Sequence, residues 1–342
     1  MMKVLVTGSQ GYIGTFLVDF LLENGLQVSG LDIGYFKDCN LVPITSSVKT
    51  KNIDIRDISK NDVIGFDSIV HLAALSNDPV GELDEKLTFD INYKATVNLA
   101  KLAKKAGVRR FIFVSTQSIY GISNTDEELD EYSSVKNPQT AYAKTKWLAE
   151  QELKTLEGEN FEIVYIRPST VFGWSSRLRT DIVFNNLLLN GLKNGKIEVH
   201  SDGSPWRPIV HIRDLTNFIL ITLLSQKNKV SGKAFNVGVL NGNYTVRQIA
   251  EAANSCLPSK IKITYNTEDI TDSRSYKVSF IRAQQELGFN ATTSLEYGGI
   301  ELLNKIGSLK GKIDIMGSIT NRLLRLKDLQ KLGKIDKELR LT

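Results

Sequence analysis

The sequence predicts an α/β fold, a doubly wound parallel sheet with a smaller C-terminal substrate-binding lobe, on three observations. Strand-like apolar runs alternate with helical patterns through the first half of the chain, as in a parallel sheet covered on both faces. Thr7-Gly8-Ser9-Gln10-Gly11-Tyr12-Ile13-Gly14 follows Val4-Leu5-Val6 directly and puts three glycines at a strand exit. Asp32 closes the next apolar run, Gln27 to Leu31. The glycine turn lets backbone approach a pyrophosphate at the amino end of a helix, where free N–H groups and the dipole favour negative charge. The acid stands where a Rossmann-type unit needs a carboxylate for the adenosine ribose hydroxyls. Asp32 suits NAD, because a 2′-phosphate there meets like charge.

The elements follow in order. A first strand begins at residue 3, and Phe16 to Glu23 has apolar residues at helical spacing and ends near Gly25. After Asp32 comes an irregular stretch, residues 34–47, and then a third strand, Val48 to Ile53, leading to Asp54-Ile55-Arg56-Asp57. Ser68 to Leu72 reads as the fourth strand, ending in Ala73-Ala74, and a long helix spans roughly Leu83 to Ala106. Arg110 to Ser115 is the fifth strand, Tyr142 to Leu156 a second long helix, and Phe161 to Arg167 a sixth strand stopped by Pro168. Loops then lengthen and strands shorten. Helices are expected near 180–194, 213–226, 245–256 and 293–306, with Ala234 to Val237 returning to the sheet. This divides the chain into a dinucleotide-binding domain (1–170), a substrate lobe (171–306) and a basic extension (307–342). In the extension, Leu323, Leu326, Leu329 and Leu332 recur every third residue and stop at Gly333. So short an amphipathic helix is marginal alone and must dock, either on its own body or on a second subunit.

Composition excludes several classes. The chain has 342 residues, 42% hydrophobic and 24% charged, ordinary for a soluble globular protein. Its longest apolar stretch, Phe218 to Leu224 with Thr222 inside, is far too short to span a bilayer. Residues 307–342 hold nine Lys and Arg against four acids, which accounts for the whole net charge of +5. A basic face for nucleic acid is therefore not expected. Cys39 and Cys256 have neither metal spacing nor a disulfide pattern. With no secretory segment ahead of the first strand, a cytoplasmic protein is expected. His71, His200 and His211 are scattered, and no metal site is expected.

Chemistry centres on Tyr-x-x-x-Lys, which puts a phenol and an amine one helical turn apart on the same face. The ammonium lowers the phenol pKa, and the tyrosine then works as acid and base near neutral pH. The pattern occurs twice, at Tyr132…Lys136 and Tyr142…Lys146. The first lies in an acidic loop just before Pro138, which disfavours a helix; the second opens the helical run Ala141 to Leu156. Tyr142 and Lys146 are therefore the expected pair. Thr116, at the carboxyl end of the fifth strand where open α/β sheets place ligands, completes the constellation with a hydroxyl that can hold the reacting oxygen.

These motifs resemble the extended short-chain dehydrogenases/reductases of the nucleotide-sugar epimerase/dehydratase family. The resemblance runs through Thr7-Gly8-x-x-Gly11-Tyr12-Ile13-Gly14, Asp32, Asp54-Ile55, His71-Leu72-Ala73-Ala74, Asn92 and Ser115-Thr116-x-x-Ile119-Tyr120-Gly121. It continues through Tyr142-Ala143-Lys144-Thr145-Lys146, Arg167-Pro168, Asp202-Gly203-Ser204-x-x-Arg207, His211-Ile212-x-Asp214 and Asn236-Val237-Gly238. It covers about residues 3–306 and implies NAD as cofactor. Gly8, Gly11, Tyr12, Ile13, Gly14, Asp32, Asp54, Ile55, Leu72, Ala73, Ala74, Asn92, Pro168, Tyr142 and Lys146 would hold it. Asp54 and Ile55 would meet adenine, and Lys146 would also grip the nicotinamide ribose. It further implies a nucleotide-diphosphate sugar as substrate, with Arg207 and, within Asp272-Ser273-Arg274-Ser275-Tyr276, Arg274 on the diphosphate. A planar guanidinium makes paired charge-assisted bonds to phosphate.

Departures narrow the reaction. The family's dehydratases carry Asp-Glu directly after the catalytic Thr and its decarboxylases a Glu at the second of those positions, whereas this chain has Gln117-Ser118. Thr170 stands where many epimerases keep an Asn near the substrate phosphate, and Asn186 is the expected replacement amide. His71 and His211 are expected to be structural. The leading expectation is an NAD-dependent nucleotide-sugar 4-epimerase with Tyr142 as acid/base. A 4-dehydrogenase or 4-ketoreductase, NAD(P)-dependent, would use the same site, and a non-catalytic dinucleotide sensor would be expected to have lost Tyr142 or Lys146. The resemblance also implies a homodimer paired through the helices near 83–106 and 142–156.

Overall fold

Seven parallel strands build the central sheet of the computed structural model, which describes residues 1–44, 48–76, 84–123, 127–266, 274–309 and 313–342. They are β1 (Lys3–Thr7), β2 (Gln27–Asp32), β3 (Thr50–Asn52), β4 (Ser68–His71), β5 (Arg110–Val114), β6 (Glu162–Pro168) and β7 (Lys233–Val237). Their order across the sheet is β7-β6-β5-β4-β1-β2-β3. The chain starts inside the sheet, winds outward to β3, and crosses back to β4. The carboxyl ends of β1 and β4 therefore flank the crevice where winding reverses. Every pairing is parallel. With both faces covered, β5 and β6 are buried almost throughout, which is why each carries a continuous apolar run, residues 111–114 and 163–166. Buried His71 bridges the layers: one ring nitrogen bonds Thr7 Oγ1 at 2.7 Å and the other Thr96 Oγ1 at 2.8 Å. Burial pushes its pKa down to about 3, so it sits there as neutral imidazole.

Helix α1 (Tyr12–Glu23) begins four residues ahead of the expected Phe16, because extended Gly11 already serves as its N-cap. The expected long helix near 83–106 is three pieces, Glu85–Thr88, a π-helical Phe89–Lys94 and Ala95–Lys105; Leu83 lies outside the described residues. The third strand is shorter than expected. Helix α2 (Ala141–Lys154) is capped by Thr140, whose hydroxyl accepts from Ala143 N. Helix α3 (Val183–Asn194) starts after 180 because Ile182 is still extended.

The second half returns to the sheet through β7, as expected, and adds two small sheets that periodicity did not show. One joins Thr170–Phe172, Trp206–His211 and Asn243–Thr245; the other pairs Ile197–Val199 with Ile263–Tyr265. Four of these five strands have only three residues, too little alternation to be read from sequence, and the six-residue Trp206–His211 is interrupted by Pro208. The leucine-spaced helix is α4 (Arg322–Lys331). It docks on its own body: Leu326, Leu329, Ile335 and Leu339 share an apolar cluster with Leu31, Tyr35 and Ile55, while Leu332 stays 64% exposed. Among the described residues no helix is long and apolar enough to cross a membrane.

Candidate active site

A cleft opens at the carboxyl ends of β1, β2 and β4, lined by Gly8, Gly11, Tyr12, Ile13 and Gly14 from the glycine turn. Gly8 has φ +71°, and a Cβ on it would lie 2.7 Å from Ala73 N; a Cβ on Gly14 would lie 2.0 Å from Gly8 O. No side chain fits between turn and strand, so backbone faces the cleft. Gly11 gives α1 no side-chain cap, leaving its first-turn N–H groups for an anionic ligand. Asp32 lines the cleft with its carboxylate accepting from Gln10 N at 2.9 Å and Gly34 N at 2.8 Å. Burial raises its pKa, so it gains from the hydroxyl donors of a ribose. Asp54 and Ile55 line the far end, and Leu72, Ala73 and Ala74 the wall after β4. Asp54 is already held by Arg56, whose Nη2 donates at 2.6 Å. These features fit a dinucleotide.

Next to it lies a cavity of about 420 Å³ lined by Thr116, Ser118, Tyr142, Lys146, Pro168, Arg207 and Arg274, among others. The two spaces share Tyr12, Ile13, Leu72, Ala74, Ser76 and Arg179 as a common wall. Thr116 lies two residues past the end of β5 and caps the 3₁₀ turn Gln117–Tyr120, its Oγ1 accepting from Ser118 N at 3.1 Å. That bond occupies one lone pair and leaves the hydroxyl proton to donate. Tyr142 and Lys146 sit one turn apart on α2. Lys146 Nζ is buried, donates to Val114 O at 2.8 Å and lies 4.8 Å from the Phe113 ring centroid. Burial pushes its pKa down to about 7, against which Glu150 pulls weakly upward.

Arg207 and Arg274 meet on one side. Arg207 Nη1 donates to the carbonyls of Trp206 and Arg274, and Arg274 Nη1 donates to Ser118 Oγ at 3.3 Å. Of the expected motif around Arg274, Asp272 and Ser273 lie outside the described residues. Gln117 is tied elsewhere: its amide donates to Arg167 O at 3.0 Å, and its oxygen accepts from Ser169 Oγ at 3.2 Å.

Two expected ligand residues are placed differently. Asn186 donates to Thr180 O at 2.9 Å, accepts from Asn190, and lines a separate small pocket with Asn194 and His200. It is not among the residues lining the cavity. Asn92 does not line the cleft either; its amide exchanges bonds with Leu75 N and O at 2.8 and 3.1 Å. It holds the loop after β4 instead, a positioning role. Sequence reasoning missed Arg179, paired with Asp181 through two bonds of 2.9 and 3.0 Å, and Tyr35, Phe36, Arg322 and Leu326, which also line the cleft. No local spacing announces Arg322 and Leu326, which come from the C-terminal extension.

A model of the NAD dependent epimerase/dehydratase family matches residues 4–238. The chain is 28% identical over 268 residues to an N-acetyl-alpha-D-glucosaminyl-diphospho-ditrans,octacis-undecaprenol 4-epimerase of Escherichia coli O157:H7, covering 75% of this chain and 74% of that protein. It is 25% identical over 302 residues to UDP-glucuronic acid decarboxylase 1 of Danio rerio, covering 86% and 70%. Among solved structures it is similar to MoeE5 in complex with UDP-glucose and NAD, at 26% identity and TM-score 0.77, covering 90% of this chain and 100% of that one.

Proposed function

The chain belongs to the NAD-dependent epimerase/dehydratase family, and from that premise we propose that it is a nucleotide-sugar 4-epimerase working through a transient 4-keto sugar. The observation that carries the reading is the wall shared between the dinucleotide cleft and the cavity holding Thr116, Tyr142 and Lys146. Bound there, NAD would supply the hydride acceptor and donor that C4 oxidation and re-reduction need, and Gly8, Gly11, Ile13 and Asp32, which line the cleft, would hold and orient it. Tyr142, as phenolate, takes the proton of the C4 hydroxyl and gives it back at the end. Lys146, when protonated, favours that phenolate by Coulomb attraction. Thr116 donates to the same sugar oxygen and keeps it in line with Tyr142. Arg207 and Arg274 grip the diphosphate of the substrate, anchoring the nucleotide while the sugar turns over.

Elimination and decarboxylation have less support. Gln117 is bonded to β6, Ser118 carries a hydroxyl that accepts from Arg274, and the carboxylate among the described lining residues, Asp181, is locked on Arg179. No acid then stands where the family's dehydratases keep Asp-Glu. Incubating the purified protein with UDP-, GDP-, CDP- and dTDP-sugars, without added cofactor, tests the reading. A 4-epimer detected by NMR with no accumulation of reduced nicotinamide supports it. Stoichiometric reduced nicotinamide with a released keto sugar overturns it in favour of a 4-dehydrogenase.

A further inference from the structure

We propose that residues 321–342 clamp the bound dinucleotide, with Arg322 a binding residue for the cofactor diphosphate. This segment lies wholly outside the 4–238 match. Arg322 opens α4 and lines the cleft together with Tyr12, Ile13 and Asp32. It is 3% exposed. Its Nη2 donates to Arg177 O at 2.7 Å, and its guanidinium stacks 4.4 Å from the Phe36 ring centroid. Its Nη1 is buried with no hydrogen-bond partner among the described residues. Leaving a charged donor so is costly, and the geometry points at what would satisfy it.

Three guanidiniums converge here. Arg179 has Asp181, whereas Arg177 donates to Thr15 Oγ1 and Lys37 O and keeps a buried Nε without partner. Desolvation, with Arg179 repelling next, pushes Arg322 down to about 10. Arg322 lines the same cleft as Tyr12, in the first turn of α1, and the ribose acid Asp32. A doubly charged diphosphate at α1 supplies the missing acceptors. The rest of the segment is fastened along the adenine end. Arg325 Nε donates to Tyr35 O at 3.2 Å, Tyr35 donates to Leu339 O, and Arg56 Nη1 donates to Glu338 O at 2.9 Å. Arg340 pairs with Asp57 and lies 3.4 Å from Asp54. A cofactor held this way stays through many turnovers.

The inference rests on the dinucleotide and not on the sugar chemistry proposed above, so either stands if the other fails. The test titrates the full-length chain, freed of copurifying nucleotide, with ADP-ribose and with adenosine. Arg322→Gln is expected to weaken ADP-ribose about 10- to 100-fold while adenosine changes less than about twofold, and Arg322→Lys falls between. Unchanged ADP-ribose binding, or equal losses for both probes, overturns the proposal. Should Arg322→Gln fail to fold, amide exchange in the native chain decides. Slower exchange in 322–331 with ADP-ribose but not adenosine supports the clamp, and no difference between the probes overturns it.

Discussion

Two copies of Tyr-x-x-x-Lys lie ten residues apart and end in opposite environments. Tyr132 is 65% exposed on an irregular loop, its ring 4.0 Å from the Arg282 guanidinium. Lys136 is spent on that loop, donating to the carbonyls of Glu131 at 2.9 Å and Ser134 at 2.6 Å. Tyr142 and Lys146 share a helical face that lines a cavity, with Lys146 fully buried. Spacing means adjacency only where a helix exists. Pro138 follows the first copy and disfavours one; Thr140 precedes the second and caps one. A motif is therefore read with its caps.

The largest expected effect separates the two tyrosines. Tyr142→Phe should lower turnover by about 10³- to 10⁴-fold, while Tyr132→Phe changes it less than about twofold; equal losses would break the comparison. Thr116→Val should cost about 10²-fold in kcat by removing a donor aimed at the reacting oxygen, and Thr116→Ser should restore most of it, as steady-state kinetics would show.

The lysines are told apart by pH. Lys146 is driven down by burial from 10.5 to about 7, so charging it opposes folding. That penalty is complete below about pH 7 and fades as pH rises toward the unfolded value, because over that window the unfolded chain binds more protons. Cofactor-free Lys146→Met should be more stable than the native sequence by a few kcal/mol at pH 6, with the gain gone near pH 10; urea melts at both values check it. Lys136 is shifted the same way but is only partly buried, so Lys136→Met should show little of this trend. Smallest is the cap: Thr140→Ala should cost about 1 kcal/mol, read as a lower melting temperature with α2 intact.

Much of the fold was legible because its signals are local. The glycine turn needs no partner to be recognised: Gly8 and Gly14 leave no room for a Cβ. Strands buried on both faces show as apolar runs. Asn186 was placed wrongly because sequence spacing does not say which face of a helix meets the cavity; its amide is spent on Thr180 O and Asn190 instead. Asn92 misled because a buried amide reads alike whether it meets a ligand or a backbone loop. The three-residue strands lacked enough alternation to register.

The sequence by itself determined the parallel sheet, the glycine turn ahead of α1 with Asp32 at the end of β2, and which of two Tyr-Lys pairs sits on a helix. Each depends on backbone geometry and spacing within a few residues. Only the tertiary structure decided that Arg322 and Leu326 wall the cleft beside the glycine turn, and that Gln117 faces the sheet while Ser118 faces the cavity. Such contacts join segments up to three hundred residues apart, and which charges end up buried together depends on packing that no local pattern encodes.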